Sequence, residues 1–142
     1  SAAKSVSLPS MGEKQWRRHI ASAPQFHENH VLTETFAFNL LMGDQWPPSD
    51  GKISEALTIC EELGLGELIE RMPGGIMQMV GATGWQLSHG EKRRLFIARS
   101  LLQGSEIVIL DESFAALDPI NLRRAVECVQ KRAKTLLVVA HP

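Results

Sequence analysis

The chain has 142 residues, 44% hydrophobic and 22% charged, with fifteen basic and sixteen acidic residues and a formal net charge of -1. That length fits one domain or part of one, and a compact fold of this size buries about 68–70% of its unfolded-chain surface. The composition excludes collagen-like, low-complexity and disordered classes, the charge balance leaves no basic footprint for nucleic acid, and no apolar run approaches the roughly 18 residues of a spanning helix.

The first nineteen residues are polar and mixed, with no secretory pattern. Ile20–Ala23 reads as a short strand stopped by Pro24. Thr33 is the expected N-cap of a helix carrying Phe36, Leu40 and Leu41 and closed by Gly43. Pro47–Gly51 reads as a loop. Ile53, Leu57 and Cys60 recur at i, i+4 and i+7, the face of a second helix, with Gly64 at its C′ position. A short helical piece over Glu67–Arg71 precedes Pro73-Gly74-Gly75, and a glycine-containing connector with Gly81 and Gly84 follows.

The last third is more regular. Ser88-His89-Gly90-Glu91 has the S-x-x-E form of a capping box. The helix it opens places Leu95, Ala98 and Leu102 on one face and ends near Gly104. Lys92-Arg93-Arg94 reads as a solvated stretch of that helix. Ile107–Leu110 is a β-branched and leucine run, the pattern of a strand covered on both faces. Asp118-Pro119 reads as an N-cap with proline at N1. The next helix carries Leu122, Val126, Val129 and Ala133, with Lys131, Arg132 and Lys134 at its C-terminal end. Leu136–Ala140 is a further buried strand. Strand, helix, strand forms a βαβ unit, which implies a parallel sheet with a right-handed crossover. The fold class is therefore α/β.

Ligands of such sheets bind beyond the carboxyl ends of the strands. Asp111-Glu112 and His141 stand at those ends. An aspartate there suits Mg²⁺, held partly through water, and a neighbouring carboxylate can take a proton from an attacking water. Gly90 sits in the first turn of a helix, where glycine is costly, and the helix N-terminus suits an anion such as phosphate. His27 and His30 form an H-x-x-H without a further ligand cluster, which does not make a metal site. Cys60 and Cys128 have no metal-like spacing and read as buried, reduced thiols. Trp46, before two prolines, reads as a loop anchor.

Leu87-Ser88-His89-Gly90-Glu91 and the helix after it resemble the LSGGQ signature of ABC-type ATPases. Ile107–Leu110 with Asp111-Glu112 resembles their Walker B strand, Ala116-Leu117-Asp118 their D-loop, and His141 their switch histidine. Ile20–Gln25 resembles the strand entering the Q-loop, with Gln25 the family glutamine. Thr33–Asn39 resembles the first helix of the helical subdomain of exporter-like members. Gln78–Gly84 resembles the exporter X-loop, with Met79 and Ala82 where glutamates are usual. The motifs occur in family order from about Ser7 onward.

The resemblance implies a partial P-loop NTPase core with parallel strands plus an α-helical subdomain. Residues 1–26 would belong to the core up to the Q-loop, 27–104 to the helical subdomain with the signature helix, and 105–142 to the core with Walker B, D-loop and switch histidine. It also implies ATP and Mg²⁺ as ligands. Asp111 would help hold Mg²⁺, Glu112 would polarise water, His141 would contact the γ-phosphate, and Gln25 would sense Mg²⁺ or water. Ser88, His89, Gly90 and Glu91 would face ATP on a second nucleotide-binding domain, with Asp118 at the same seam. The implied partners are that second domain and a transmembrane domain, and the implied location is the cytoplasmic face of a membrane. No G-x-x-x-x-G-K-[ST] occurs in the 142 residues. The family's phosphate loop is thus expected upstream of Ser1, the chain is expected to be an internal fragment, and alone it is expected not to turn over ATP. Two other readings are an ABC-fold ATPase acting in repair or translation and a degenerate partner-binding module.

Overall fold

The computed structural model describes residues 20–23, 31–103, 107–111, 117–133 and 135–139. In chain order these form β1 (Ile20–Ala23), α1 (Phe36–Leu40), α2 (Asp50–Glu62), α3 (Gly66–Arg71), a 3₁₀ turn (Gly75–Met77), α4 (His89–Leu102), β2 (Ile107–Asp111), α5 (Pro119–Arg132) and β3 (Thr135–Val139). The described strands make one parallel sheet in the order β1-β2-β3. Ala23 aligns with Leu110, and Asp111 with Val139, so all three strands finish at one edge. The βαβ reading of the last third and the α/β class hold.

The helical layer is held by apolar burial. Phe36, Leu40, Ile59, Leu63, Leu95 and Phe96 share one core cluster, and burying each such side chain contributes about 1.5–3 kcal/mol relative to exposure. Helix α4 is buried from Arg94 to Ser100, on every side rather than along a stripe. It touches α1, α2 and α5 as well as β1 and β2, and so joins the helical layer to the sheet.

Several local expectations shift. The cap of α1 is Thr35, whose side chain accepts from the Phe38 N–H; Thr33 lies outside the helix. Buried Asn39 explains why the chain turns there. Its Oδ1 accepts from Leu32 N–H at 2.8 Å, and its Nδ2 donates to the Leu32 and Thr35 carbonyls at 3.1 and 3.0 Å. These bonds tie residues 32–35 into a preceding turn. The loop before α2 ends at Ser49, not Gly51, because the Ser49 hydroxyl accepts from Lys52 N–H and caps the helix two residues earlier. Helix α2 buries Ala56, Ile59 and Cys60, while Leu57 is 40% exposed. Helix α5 likewise buries Ala125, Cys128 and Val129, and Leu122 is 38% exposed. In both helices an apolar repeat is present but the contact face is rotated, since small side chains, Ala56 and Ala125, permit close approach. Strand β3 begins one residue earlier than expected, at Thr135.

Other expectations are met. Gly64 has φ +77°, its N–H donates to Glu61 O, and Leu65 N–H donates to Cys60 O, the paired bonds of a Schellman C-cap. Trp46 packs edge-on against Phe38 with ring centroids 5.1 Å apart. Cys60 and Cys128 are free and buried. The connector is more ordered than a loop: Phe36 N–H donates to Gln78 O, Val80 N–H to Glu34 O and Trp85 N–H to Met79 O, each at 2.9 Å. Gly81 and Gly84 permit this closeness. A Cβ on Gly81 would lie 2.8 Å from Thr33 Cα, and one on Gly84 2.6 Å from Met79 O.

Candidate functional site

The N-terminus of α4 is built as the sequence implies. Ser88 Oγ accepts from Glu91 N–H at 3.1 Å, and Glu91 Oε1 accepts from Ser88 N–H at 2.8 Å. Both halves of the capping box are therefore made. The other carboxylate oxygen of Glu91 accepts from Arg71 Nη2 at 2.9 Å. This arrangement gives Glu91 a structural task. Ser88 and His89 remain exposed at the helix end, and Gly90 is half-buried.

Asp118 caps α5 in a similar way. Its Oδ1 accepts from Asn121 N–H at 2.9 Å, and its Oδ2 from Asn121 Nδ2 at 2.8 Å. The Asn121 backbone bond is the largest of the causes that hold the Asp118 carboxyl below its usual range. The ends of α4 and α5 meet at a hollow of about 370 Å³ lined by Glu91, Arg94, Asp118, Asn121, Arg71 and Arg124, among others. The structure thus brings Glu91 and Asp118 to one hollow.

Arg94 was expected on a solvated face, and the structure corrects this. It is only 8% exposed. Its Nη1 donates to Leu63 O at 3.3 Å, Gly64 O at 3.0 Å and Asn121 Oδ1 at 3.2 Å, and its Nε donates to Gly90 O at 3.2 Å. Burial pulls the guanidinium below its ordinary pKa, against the opposing pull of Glu91 and Asp118. No periodicity in the sequence separates Arg94 from its neighbours Lys92 and Arg93. The i, i+4 spacing from Gly90 is the only local signal.

Asp111 closes β2 at the shared carboxyl edge, aligned with Val139. Gln25, Glu112 and His141 lie outside the described residues, as do His27 and His30. By sequence they follow Ala23, Asp111 and Val139 by two, one and two positions in the case of Gln25, Glu112 and His141. Among the described residues no group of three or more His, Cys, Asp or Glu is arranged to hold a metal. No described helix is long and apolar enough to cross a membrane.

Parallel strands that finish together, with capped helix ends above an adjoining helical layer, place the chain among α/β proteins whose ligands bind at the strand ends. Residues 3–115 match the family described as ABC transporter. The chain belongs to that family. It is 37% identical over 131 residues to an ATP-dependent lipid A-core flippase of Aromatoleum aromaticum, covering 90% of this chain and 21% of the flippase. It is 33% identical over 141 residues to ABC multidrug transporter E of Aspergillus fumigatus, covering 94% and 11%. A solved bacterial Atm1-family ABC exporter with ATP bound superposes with a TM-score of 0.75 at 26% identity, over 91% of this chain and 22% of the exporter. The chain thus spans about a tenth to a fifth of the length of the curated relatives it matches.

Proposed function

We propose that this chain is part of the ATP-binding domain of an ABC transporter, in which ATP binding and hydrolysis at a head-to-tail domain interface drives substrate across a membrane. The observation that carries the reading is the α4 terminus: Ser88 and His89 stand exposed at a helix start closed by a complete capping box, whose Glu91 shares a hollow with the Asp118 cap. A helix end of this kind suits a phosphate. Ser88 is exposed at the surface, and in this reading the phosphate it meets belongs to a second nucleotide-binding domain. Ser88, His89, Gly90 and Glu91 form that contact region, and Asp118 stands at the same seam.

The residues at the sheet edge fit nucleotide and Mg²⁺ by their chemistry. Asp111 ends a strand at the shared carboxyl edge and is a hard oxygen ligand suited to Mg²⁺. When bound, the cation neutralises phosphate charge. Glu112 orients and deprotonates water, His141 contacts the γ-phosphate, and Gln25 links the site to the membrane partner. Residues 1–26 and 105–142 serve the α/β core and 27–104 the helical subdomain. The domain lies at the cytoplasmic face. The relatives, a flippase and multidrug transporters among them, favour transport over repair or translation. The 142 residues contain no G-x-x-x-x-G-K-[ST], so this chain alone does not turn over ATP, because positioning and charge stabilisation around the phosphates dominate this chemistry.

The test is ATP turnover by the complete native polypeptide in membrane vesicles. The reading expects Mg²⁺-dependent hydrolysis, and strong loss in Asp111→Asn. Turnover unaffected by that substitution removes Asp111 from the metal site.

A further inference from the structure

We propose that Arg94, acting through Asn121, is a positioning residue that fixes the Ser88–Glu91 turn relative to Asp118. The inference rests on the nucleotide-contacting role given above to those two segments and adds what holds them in register. Gly90 O, Arg94, Asn121 and Asp118 form an unbroken hydrogen-bonded chain: Nε of Arg94 to Gly90 O at 3.2 Å, Nη1 to Asn121 Oδ1 at 3.2 Å, then Asn121 Nδ2 to Asp118 Oδ2 at 2.8 Å. One end is the first turn of α4, and the other is the cap of α5.

The guanidinium is itself anchored. Nη1 also reaches the carbonyls of Leu63 and Gly64, at the C-terminal end of α2. Those carbonyls belong to the helix end that the Gly64 turn shapes. The φ of +77° calls for glycine there, and the side-chain ends of Arg124, Asn121 and Arg94 close in on it, at 2.7, 2.8 and 3.3 Å from where a Cβ would stand. A planar fork with several fixed donors can serve carbonyls in different directions at once. A lysine ammonium lacks that geometry.

The geometry has a specific consequence. The partners shown for Arg94 and Asn121 belong to the end of α2, the first turn of α4 and the cap of α5, and none of them is a strand residue. Loosening the chain therefore leaves nucleotide affinity in place and slows the step that needs the two segments aligned against the opposite domain. Groups that act as one unit are non-additive, so the second substitution adds little once the first is made.

The experiment uses the complete native polypeptide, with steady-state ATP hydrolysis, equilibrium binding of a fluorescent ATP analogue and a thermal melt. Variants are Arg94→Lys, Asn121→Ala and their combination, with Glu112→Gln as the control for the underlying reading. Charge-assisted bonds of this kind correspond to roughly tenfold in rate. We expect kcat to fall about tenfold in Arg94→Lys and severalfold in Asn121→Ala, analogue affinity to stay within about twofold, and the combination to be no slower than Arg94→Lys. Near wild-type kcat in both single variants, alongside an inactive Glu112→Gln, overturns the positioning role and leaves the proposed function standing. Full turnover in Glu112→Gln overturns the proposed function instead. Multiplicative losses, or loss of analogue affinity equal to the loss of kcat, also overturn the inference. Should Arg94→Lys fail to fold, Asn121→Ala, at the half-buried start of α5, decides the matter alone.

Discussion

Replacing Ser88 separates its capping of α4 from its proposed contact with phosphate. In the structure Ser88 Oγ accepts one hydrogen bond, from Glu91 N–H at 3.1 Å. Ser88→Ala removes that acceptor, and loss of a side-chain N-cap costs about 1 kcal/mol. Ser88→Asp keeps an acceptor at the same place, and its negative charge suits the α4 dipole. Its effect on folding is expected within about 0.5 kcal/mol. Against a γ-phosphate the same charge is repulsive. Two unit charges 4 Å apart repel by about 1 kcal/mol in water and about 4 kcal/mol at an effective dielectric near 20. At 1.4 kcal/mol per tenfold, the range runs from about fivefold to about a thousandfold. A closed interface excludes water and moves the figure toward the upper end. The assay pairs ATP turnover of the complete polypeptide with its thermal melt. The expected pattern is an unchanged melt with turnover down at least fivefold in Ser88→Asp, and a lowered melt in Ser88→Ala. Wild-type turnover in Ser88→Asp would refute the placement of Ser88 against phosphate.

Three further outcomes follow from particular contacts. Gly84→Ala forces a Cβ to within 2.6 Å of Met79 O and is expected to destabilise by about 1–3 kcal/mol, read as a lower denaturant midpoint; an unchanged midpoint would show that the 79–84 turn does not form as described. Arg132 donates to both oxygens of Glu62, and that bonding is the main cause holding the Glu62 carboxyl below its ordinary value of 4.5. Because the folded value is the lower one, this contribution to stability is fully present above about pH 4.5 and fades as pH falls toward Glu62's own value; Glu62→Gln should flatten that part of the acid limb, and an identical acid profile would count against the pair. Burial pushes the Cys60 thiol up to about 12 and the Cys128 thiol up to about 11, so neither should react with iodoacetamide at pH 8 until the protein is unfolded. Rapid labelling of the native protein would contradict the packing of α2 on α5.

The features legible in the sequence are those set by local chemistry. The Ser88 cap with Glu91 at N3, the Asp118-Pro119 start, the Gly64 turn and the apolar strand runs all arise from interactions a few residues apart, so the sequence exhibits both partners. Contact faces were less legible. Ile53, Leu57 and Leu122 obey a helical repeat, but α2 and α5 bury their smaller residues, Ala56 and Ala125, and leave Leu57 40% and Leu122 38% exposed. Thr33 is the expected cap, and the structure uses Thr35 instead, where the Asn39 side chain ties down the turn before α1. Arg94 was the least legible, because its acceptors at Leu63, Gly64 and Asn121 are about thirty positions away in sequence and no periodicity encodes them. The order of motifs, rather than any one of them, points to Gln25, Asp111, Glu112 and His141, of which Asp111 lies among the described residues.

The most direct test of the central claim compares the complete polypeptide with its Glu112→Gln variant, measuring ATP hydrolysis and bound nucleotide in the same samples. The account predicts that hydrolysis is nearly abolished while ATP binding persists, because the substitution removes the group that takes the proton from water and leaves the phosphate contacts intact. Hydrolysis near the wild-type rate would contradict it.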